Sequence, residues 1–320
     1  MRRPILALLL VLVGTGAAVR ISNKNVTEPN PDQFTTEPGF HELSVKTTDA
    51  TRPFLLYIPK SLDTTKPAPL VFFLHGGGGS MKQAKSYNLQ DKAEEAGFVL
   101  VLPNGTGALR DDGILATWNA GECCGGARDR DIDDVGYIRE IVKSVEDTLS
   151  IDSNRIYATG MSNGGMMSYR LACDAADVFA AIAPVAGTDN TVTCSPSEPI
   201  SVLHIHALDD THVLYNGGAG EDAFRDDTKV TDFTSVNDTI NRWLTYNKLP
   251  SEPKRTLTVA GAYCDSYEGT SDTEVRLCVT ESGGHSWPGS TVGQILRDKQ
   301  PSQAINANDV IWDFFSTHSK

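Results

Sequence analysis

Short continuous apolar runs, each too brief to form a helix face, recur along this chain and alternate with longer amphipathic stretches. Few folds satisfy that alternation. The runs are 54–58, 70–74, 98–102, 155–159, 180–185, 202–206 and 275–280. Several show no apolar-polar alternation, as expected for strands covered on both faces. Helix-period stretches fall between them at 89–96, 134–149, 165–173, 235–246 and 308–317. Strands alternating with helices predict a largely parallel α/β sheet with right-handed crossovers.

Composition sets the bounds of this reading. Hydrophobic residues make up 40% of the 320 positions and charged residues 22%, ordinary globular values with enough length for a sizeable core. No linker, internal repeat or low-complexity tract interrupts the pattern, so one catalytic domain over 40–320 is expected. Before it, 19–39 is rich in Thr, Asn and Pro and reads as loose.

The first 18 residues read as a secretory signal peptide. Arg2 and Arg3 precede an apolar run from Ile5 to Val13, and Gly16, Ala17 and Ala18 offer a small-residue cleavage site. The run is shorter than the roughly 20 residues a membrane-spanning helix needs. A secreted, extracellular product is the expectation. The formal net charge is −13, and loss of the two leader arginines makes it −15. So acidic a chain repels nucleic acid and anionic membranes, and neither is an expected partner.

"GMSNG", residues 160–164, lies between a strand and a helix and fits G-x-S-x-G. In that context a sharp strand-to-helix turn lifts the Ser162 hydroxyl above the sheet. A serine hydroxyl becomes a nucleophile when a base takes its proton, so a histidine and an orienting acid are required downstream, acid first. His285, in "GGHSWPG" after the last strand, is the candidate base. His318 lies two residues from the end, and His204 and His206 alternate on a strand, where core or edge positions explain them. The acid is expected after 202–206, where Asp209 and Asp210 stand together. Asp210 is chosen and Asp209 kept as the alternative. "HIHALDDTH" is also open to a metal reading through His204, His206, Asp209, Asp210 and His212, but that would leave Ser162 and His285 unexplained; no metal and no cofactor are expected.

An acyl-transfer site also needs donors for the developing oxyanion. The N–H of Asn163, after the nucleophile, is one. "HGGGG", His75 to Gly79, supplies the other from Gly77 or Gly78. A phosphate-cradling loop is excluded because no G-K-[ST] follows.

Together HGGGG, GMSNGG, HIHALDD, GGHSWPG, "VLPNGTG" and "TWNAGECCGG" resemble the secreted polyhydroxybutyrate depolymerase and feruloyl esterase family, over about 54–315. The resemblance implies an α/β-hydrolase fold, a mostly parallel sheet with helices on both faces, and ester hydrolysis through an acyl-enzyme. It places Ser162, Asp210 and His285 on nucleophile, acid and base. The family pattern at the acid is His-Gly-x-x-Asp; Ala207 stands here for the glycine. Trp118 and Asn119 resemble residues beside the acyl pocket, and Trp287 follows the base. Six cysteines in a secreted chain point to disulfides, with fifteen possible pairings. The resemblance implies Cys173 with Cys194 and Cys264 with Cys278, leaving Cys123 with Cys124.

The expected substrates are feruloyl or acetyl esters of cell-wall polysaccharide such as xylan, or alternatively polyhydroxybutyrate. A reading from another class is a non-catalytic secreted binding protein on a hydrolase scaffold, which would lack a member of the constellation.

Overall fold

The computed structural model describes residues 36–107, 115–223, 231–269, 272–291 and 300–320. The leader of 1–18 and most of 19–39 lie outside them.

Twelve strands run in chain order: β1 (Gly39–Lys46), β2 (Thr51–Ile58), β3 (Ala68–Leu74), β4 (Val99–Pro103), β5 (Thr106–Gly107), β6 (Ala116–Thr117), β7 (Ile151–Met161), β8 (Ala181–Val185), β9 (Ser201–Ala207), β10 (Lys254–Val259), β11 (Ala262–Glu268) and β12 (Glu274–Thr280). The helices are α1 (Met81–Ala84), α2 (Leu89–Ala96), α3 (Gly125–Asp129), α4 (Asp134–Glu146), α5 (Asn163–Asp174), α6 (Val236–Asn247) and α7 (Ala307–Ser316). Ten strands form one sheet in the order β1-β2-β4-β3-β7-β8-β9-β12-β11-β10. From β4 through β12 the pairings are parallel, and both flanks are antiparallel. This is the α/β-hydrolase fold.

The parallel centre explains the unbroken apolar runs. Along β3 every residue is buried: Leu70, Phe72 and Leu74 enter one core and Val71 and Phe73 the other, because successive side chains leave opposite faces. The first core holds residues of α4, α5 and α6, such as Ile138, Tyr169 and Trp243. The second holds Leu89 and Ala93 of α2 and Ile311, Phe314 and Phe315 of α7. Helices therefore cover both faces.

Three sheet strands carry no such run. β1 begins at Gly39, where a loose segment was expected, and alternates the exposed Glu42, Ser44 and Lys46 with the buried Leu43 and Val45. β10 is an edge strand with almost every side chain in solvent, and Lys254 and Arg255 at its start discourage further pairing. β11 buries alternate residues, small or polar ones among them. Disulfides join Cys173 to Cys194, Cys264 to Cys278 and Cys123 to Cys124; Cys264 and Cys278 stand directly opposite on β11 and β12. Among the described residues no helix is long and apolar enough to cross a membrane.

Candidate active site

The C-terminal ends of β7, β9 and β12 bring the candidate residues to one edge of the sheet. Ser162 sits between β7 and α5 with φ 56° and ψ −120°, a conformation that a non-glycine residue holds when its surroundings fix it. The fixing contacts are explicit. Its N–H donates to the Val185 carbonyl at 2.8 Å, and its own carbonyl accepts from the Met166 N–H at 2.9 Å.

The flanking glycines are steric requirements. A Cβ on Gly160 would stand 2.6 Å from the Leu74 carbonyl oxygen and from the Gly164 backbone, and one on Gly164 would overlap the same Leu74 carbonyl. Gly164→Ala is expected to cost about 2–3 kcal/mol, since neither neighbour is a movable side chain. Urea unfolding would check this; a loss below about 0.5 kcal/mol would mean that the turn relaxes freely.

The Leu208 N–H donates to the Thr280 carbonyl at 2.9 Å, which holds the loops after β9 and β12 side by side. Asp210 is buried in the first loop. Its Oδ1 accepts from the N–H groups of His212 (2.8 Å) and Val213 (3.1 Å). Its Oδ2 accepts from His285 Nδ1–H at 2.8 Å. Asp209 does another job, accepting from the Gly284 N–H at 2.8 Å and so steadying the loop that carries His285. Burial opposes the Asp210 charge, but His285 and the hydrogen bonds from His206 and His285 outweigh it, holding the carboxyl well below the usual range. With Nδ1 carrying hydrogen toward Asp210, Nε2 is the basic nitrogen of the His285 ring.

The glycine loop corrects one expectation. Gly78 donates its N–H to the Ala116 carbonyl at 2.7 Å, which removes it as an oxyanion donor. Gly77 lies against Asn163, a Cβ at that position standing 3.6 Å from Asn163 Cβ. Gly77 and Asn163 thus stand side by side at the N-terminus of α5, where the helix dipole favours negative charge.

The expected pocket residues are corrected as well. Trp118 is fully buried, and Asn119 and Trp287 are each 3% exposed; none offers surface to a substrate. Trp118 instead clamps the oxyanion region. Its N–H donates to Asn163 Oδ1 (2.7 Å), its carbonyl accepts from Asn163 Nδ2 (3.1 Å), and its indole donates to the His75 carbonyl (2.9 Å). Asn119 donates through its side chain to Asp131 (3.1 Å) and the Ile132 carbonyl (3.2 Å), and through its N–H to Asp134 (2.8 Å). Trp287 packs edge-on against Phe73 and Tyr87 and donates to Asn308 at 2.9 Å.

His75 completes the clamp. Its Nδ1–H donates to the Gly76 carbonyl at 2.8 Å, and its Nε2 accepts from the Gly105 N–H at 3.0 Å. Burial pushes its pKa from 6.5 down to about 4. Below pH 6.5 the unfolded chain takes up a proton that the folded chain refuses, so stability falls as pH drops through that window. A loss of about 2 kcal/mol from this group is expected between pH 7 and pH 5. Urea unfolding at the two pH values, with His75→Asn as the control that flattens the dependence, measures it.

Sequence reasoning missed a buried pair behind the site, because no local signal marks it. Arg52 Nη2 meets Asp134 Oδ1 at 2.7 Å and donates to the Asn104 carbonyl at 3.1 Å, its guanidinium 3.7 Å from the Tyr137 ring centre. The pair ties the loop after β4 to the loop of Trp118 and Asn119.

The metal reading of HIHALDDTH finds little support in the donor geometry. The ring nitrogens of His204 and His206 bond to Tyr169, to each other and to the Val213 carbonyl. Asp210, His212 and His285 each bring one ligand atom within 4.8 Å of the others. The His212 and His285 rings, however, lie nearly parallel, 11° apart at 4.5 Å, so their in-plane lone pairs do not converge.

Residues 88–200, which include Ser162, match the prolyl oligopeptidase family. Feruloyl esterase B of Piromyces equi is 30% identical over 243 residues, 73% of this chain and 42% of that protein. Feruloyl esterase C of Emericella nidulans is 32% identical over 174 residues, 52% of this chain and 58% of that one. The chain thus spans about half the length of these two relatives. A putative esterase of Nocardia uniformis subsp. tsuyamanensis, NocK, is 29% identical over 266 residues, 76% of this chain and 74% of that one. Among solved structures, an acetyl xylan esterase from Aspergillus awamori superposes with a TM-score of 0.60 at 13% identity, over 87% of this chain and 99% of that one. At that identity it speaks for the fold alone.

Proposed function

We propose that this chain, an α/β-hydrolase by its fold, is a secreted serine carboxylic ester hydrolase acting on hydroxycinnamoyl or acetyl esters of plant cell-wall polysaccharide such as xylan. The observation that carries the reading is the 2.8 Å Asp210–His285 pair on the sheet edge from which Ser162 rises. The feruloyl esterases among the relatives support the substrate class. The leader-like N-terminus and three disulfides support secretion.

Ser162 Oγ attacks the ester carbonyl while His285 Nε2 takes its proton. Asp210, ionised and buried, holds the imidazole with Nδ1 protonated and stabilises the imidazolium that forms. The N–H groups of Asn163 and Gly77 receive the oxyanion. Collapse of the intermediate expels the alcohol, protonated by His285, and leaves an acyl group on Ser162. Water then repeats the sequence, releasing the acid and restoring the serine. The residues present complete this cycle without a cofactor.

The test is a panel of methyl ferulate, acetylated xylan oligosaccharide, a hydroxybutyrate oligomer and a prolyl anilide, with mass-spectrometric detection of fluorophosphonate labelling at Ser162. The first or second substrate should stand well above the others. Highest turnover on the hydroxybutyrate oligomer would replace the substrate class. Highest turnover on the anilide would replace ester with amide chemistry, and no labelling at all would leave the binding-protein reading.

A further inference from the structure

Directly beneath Asp210 lie three buried polar side chains that acyl transfer does not use: Tyr169 on α5 and His204 and His206 on β9. The Tyr169 hydroxyl stands 2.8 Å from His204 Nδ1, and His204 Nε2 stands 3.1 Å from His206 Nδ1. His206 Nε2 is 2.8 Å from the Val213 carbonyl and 3.3 Å from Asp210 Oδ2, the carboxylate oxygen that also receives His285.

The partners dictate where each proton sits. A carbonyl and a carboxylate can accept but not donate, so His206 Nε2 carries hydrogen. Its Nδ1 is then a bare acceptor, which requires hydrogen on His204 Nε2. His204 Nδ1 must in turn accept, and the tyrosine hydroxyl is its donor. Burial supports this assignment by pushing the His204 pKa well below the ordinary value and the Tyr169 pKa well above it. Every hydrogen bond in the row runs one way, and its last N–H lies between the Val213 carbonyl at 2.8 Å and the acid at 3.3 Å.

We infer that Tyr169, His204 and His206 form a one-directional hydrogen-bond wire that positions Asp210 and limits its basicity, making them positioning residues for the reaction. The inference rests on the esterase reading of Ser162. Two consequences follow from the geometry. The second donor on Oδ2 draws charge from the carboxylate, so Asp210 stays an anion beside the His285 imidazolium and does not take its proton. The wire also begins on the helix that Ser162 opens. Tyr169 is seven residues, about two turns, along α5, so one row of bonds sets the helix of the nucleophile against the turn of the acid.

The titratable and charged groups around the row are few. Asp189, paired with Arg242 at 3.3 Å, lies behind Tyr169 and acts on it electrostatically. The Tyr215 ring meets His206 edge-on at 6.0 Å. His212 stacks on His285, and Asp209 holds Gly284.

The experiment combines kinetics with histidine NMR on the full-length protein. Three variants are compared: Tyr169→Phe, which removes one hydroxyl; His206→Leu, which removes the donor to Asp210; and His206→Gln, whose amide can still donate there. A carboxylate that loses a donor becomes more basic and holds the His285 proton more tightly. In His206→Leu the acid limb of kcat/KM is expected to move up by about half to one pH unit, with kcat down about tenfold. Tyr169→Phe should move it less in the same direction, and His206→Gln should return most of the shift. Nitrogen-15 spectra of the wild type at neutral pH should show the Nε2-protonated tautomer at His204 and His206, and across the variants the His285 signals should move with the kinetic limb. Unshifted pH profiles and His285 titrations in variants that lose only thermal stability would overturn the inference, as would either buried histidine protonated at Nδ1. If no ester is turned over, the esterase reading fails by itself, and the NMR titrations still decide the wire.

Discussion

Ser162→Ala is expected to lower kcat by on the order of 10⁵- to 10⁶-fold on any ester the wild-type protein hydrolyses, with no loss of thermal stability. Two structural facts set this expectation. The serine hydroxyl makes no capping hydrogen bond to α5, so removing it costs the fold nothing. Its backbone is held by Val185 and Met166, contacts that alanine keeps. What disappears is the atom that would bond to the acyl group, leaving the oxyanion donors and substrate binding as residual catalysis. Steady-state assays with freshly prepared variant, beside calorimetry, measure both quantities. Activity within about a hundredfold of wild type would sink Ser162 as nucleophile.

The second large effect separates two adjacent carboxylates. Asp210→Asn is expected to lower kcat about 10⁴-fold, whereas Asp209→Asn should lower it less than tenfold. An amide at 210 can satisfy the His212 and Val213 N–H groups with its oxygen, which turns its NH₂ toward His285. The imidazole must then accept at Nδ1 and carry hydrogen on Nε2, the wrong tautomer for a base. At 209 the amide oxygen still accepts from Gly284, and nothing about the imidazole changes. The comparison is kcat of both variants at neutral pH, with circular dichroism to confirm folding. A reversed order of the two losses would assign the acid to Asp209.

The same pair shows how far the chain could be read without coordinates. Motif order led to a Ser-Asp-His series, and the turn after β9 narrowed the acid to two neighbours. Choosing between them depends on which carboxylate faces across to the loop after β12, a contact 75 residues away. The glycine loop behaves likewise. HGGGG suggests an anion site, but that the Gly78 N–H is taken by the Ala116 carbonyl depends on a strand of two residues that no pattern predicts. Whether Trp118, Asn119 and Trp287 face a pocket or pack the loops could not be read from the chain, because burial of a loop depends on what folds over it; in the structure all three are buried.

At the level of the fold, the buried parallel strands announced themselves through unbroken apolar runs, and the amphipathic helices through their period. β1, β10 and β11 did not, since strands on the flanks can be stable with half their side chains in water. Their existence is a matter of pairing with neighbours already in place.

That pairing order has a bearing on biosynthesis. Among the described residues β12 is the last strand in chain order, yet it lies inside the sheet, between β9 and β11. While a ribosome is still short of residue 280, β9 has an open edge and the loop bearing His285 does not exist. The nascent chain therefore carries an idle serine from residue 162 until His285 has been made. On the proposed mechanism, the nucleophile and its base come together only as the sheet closes.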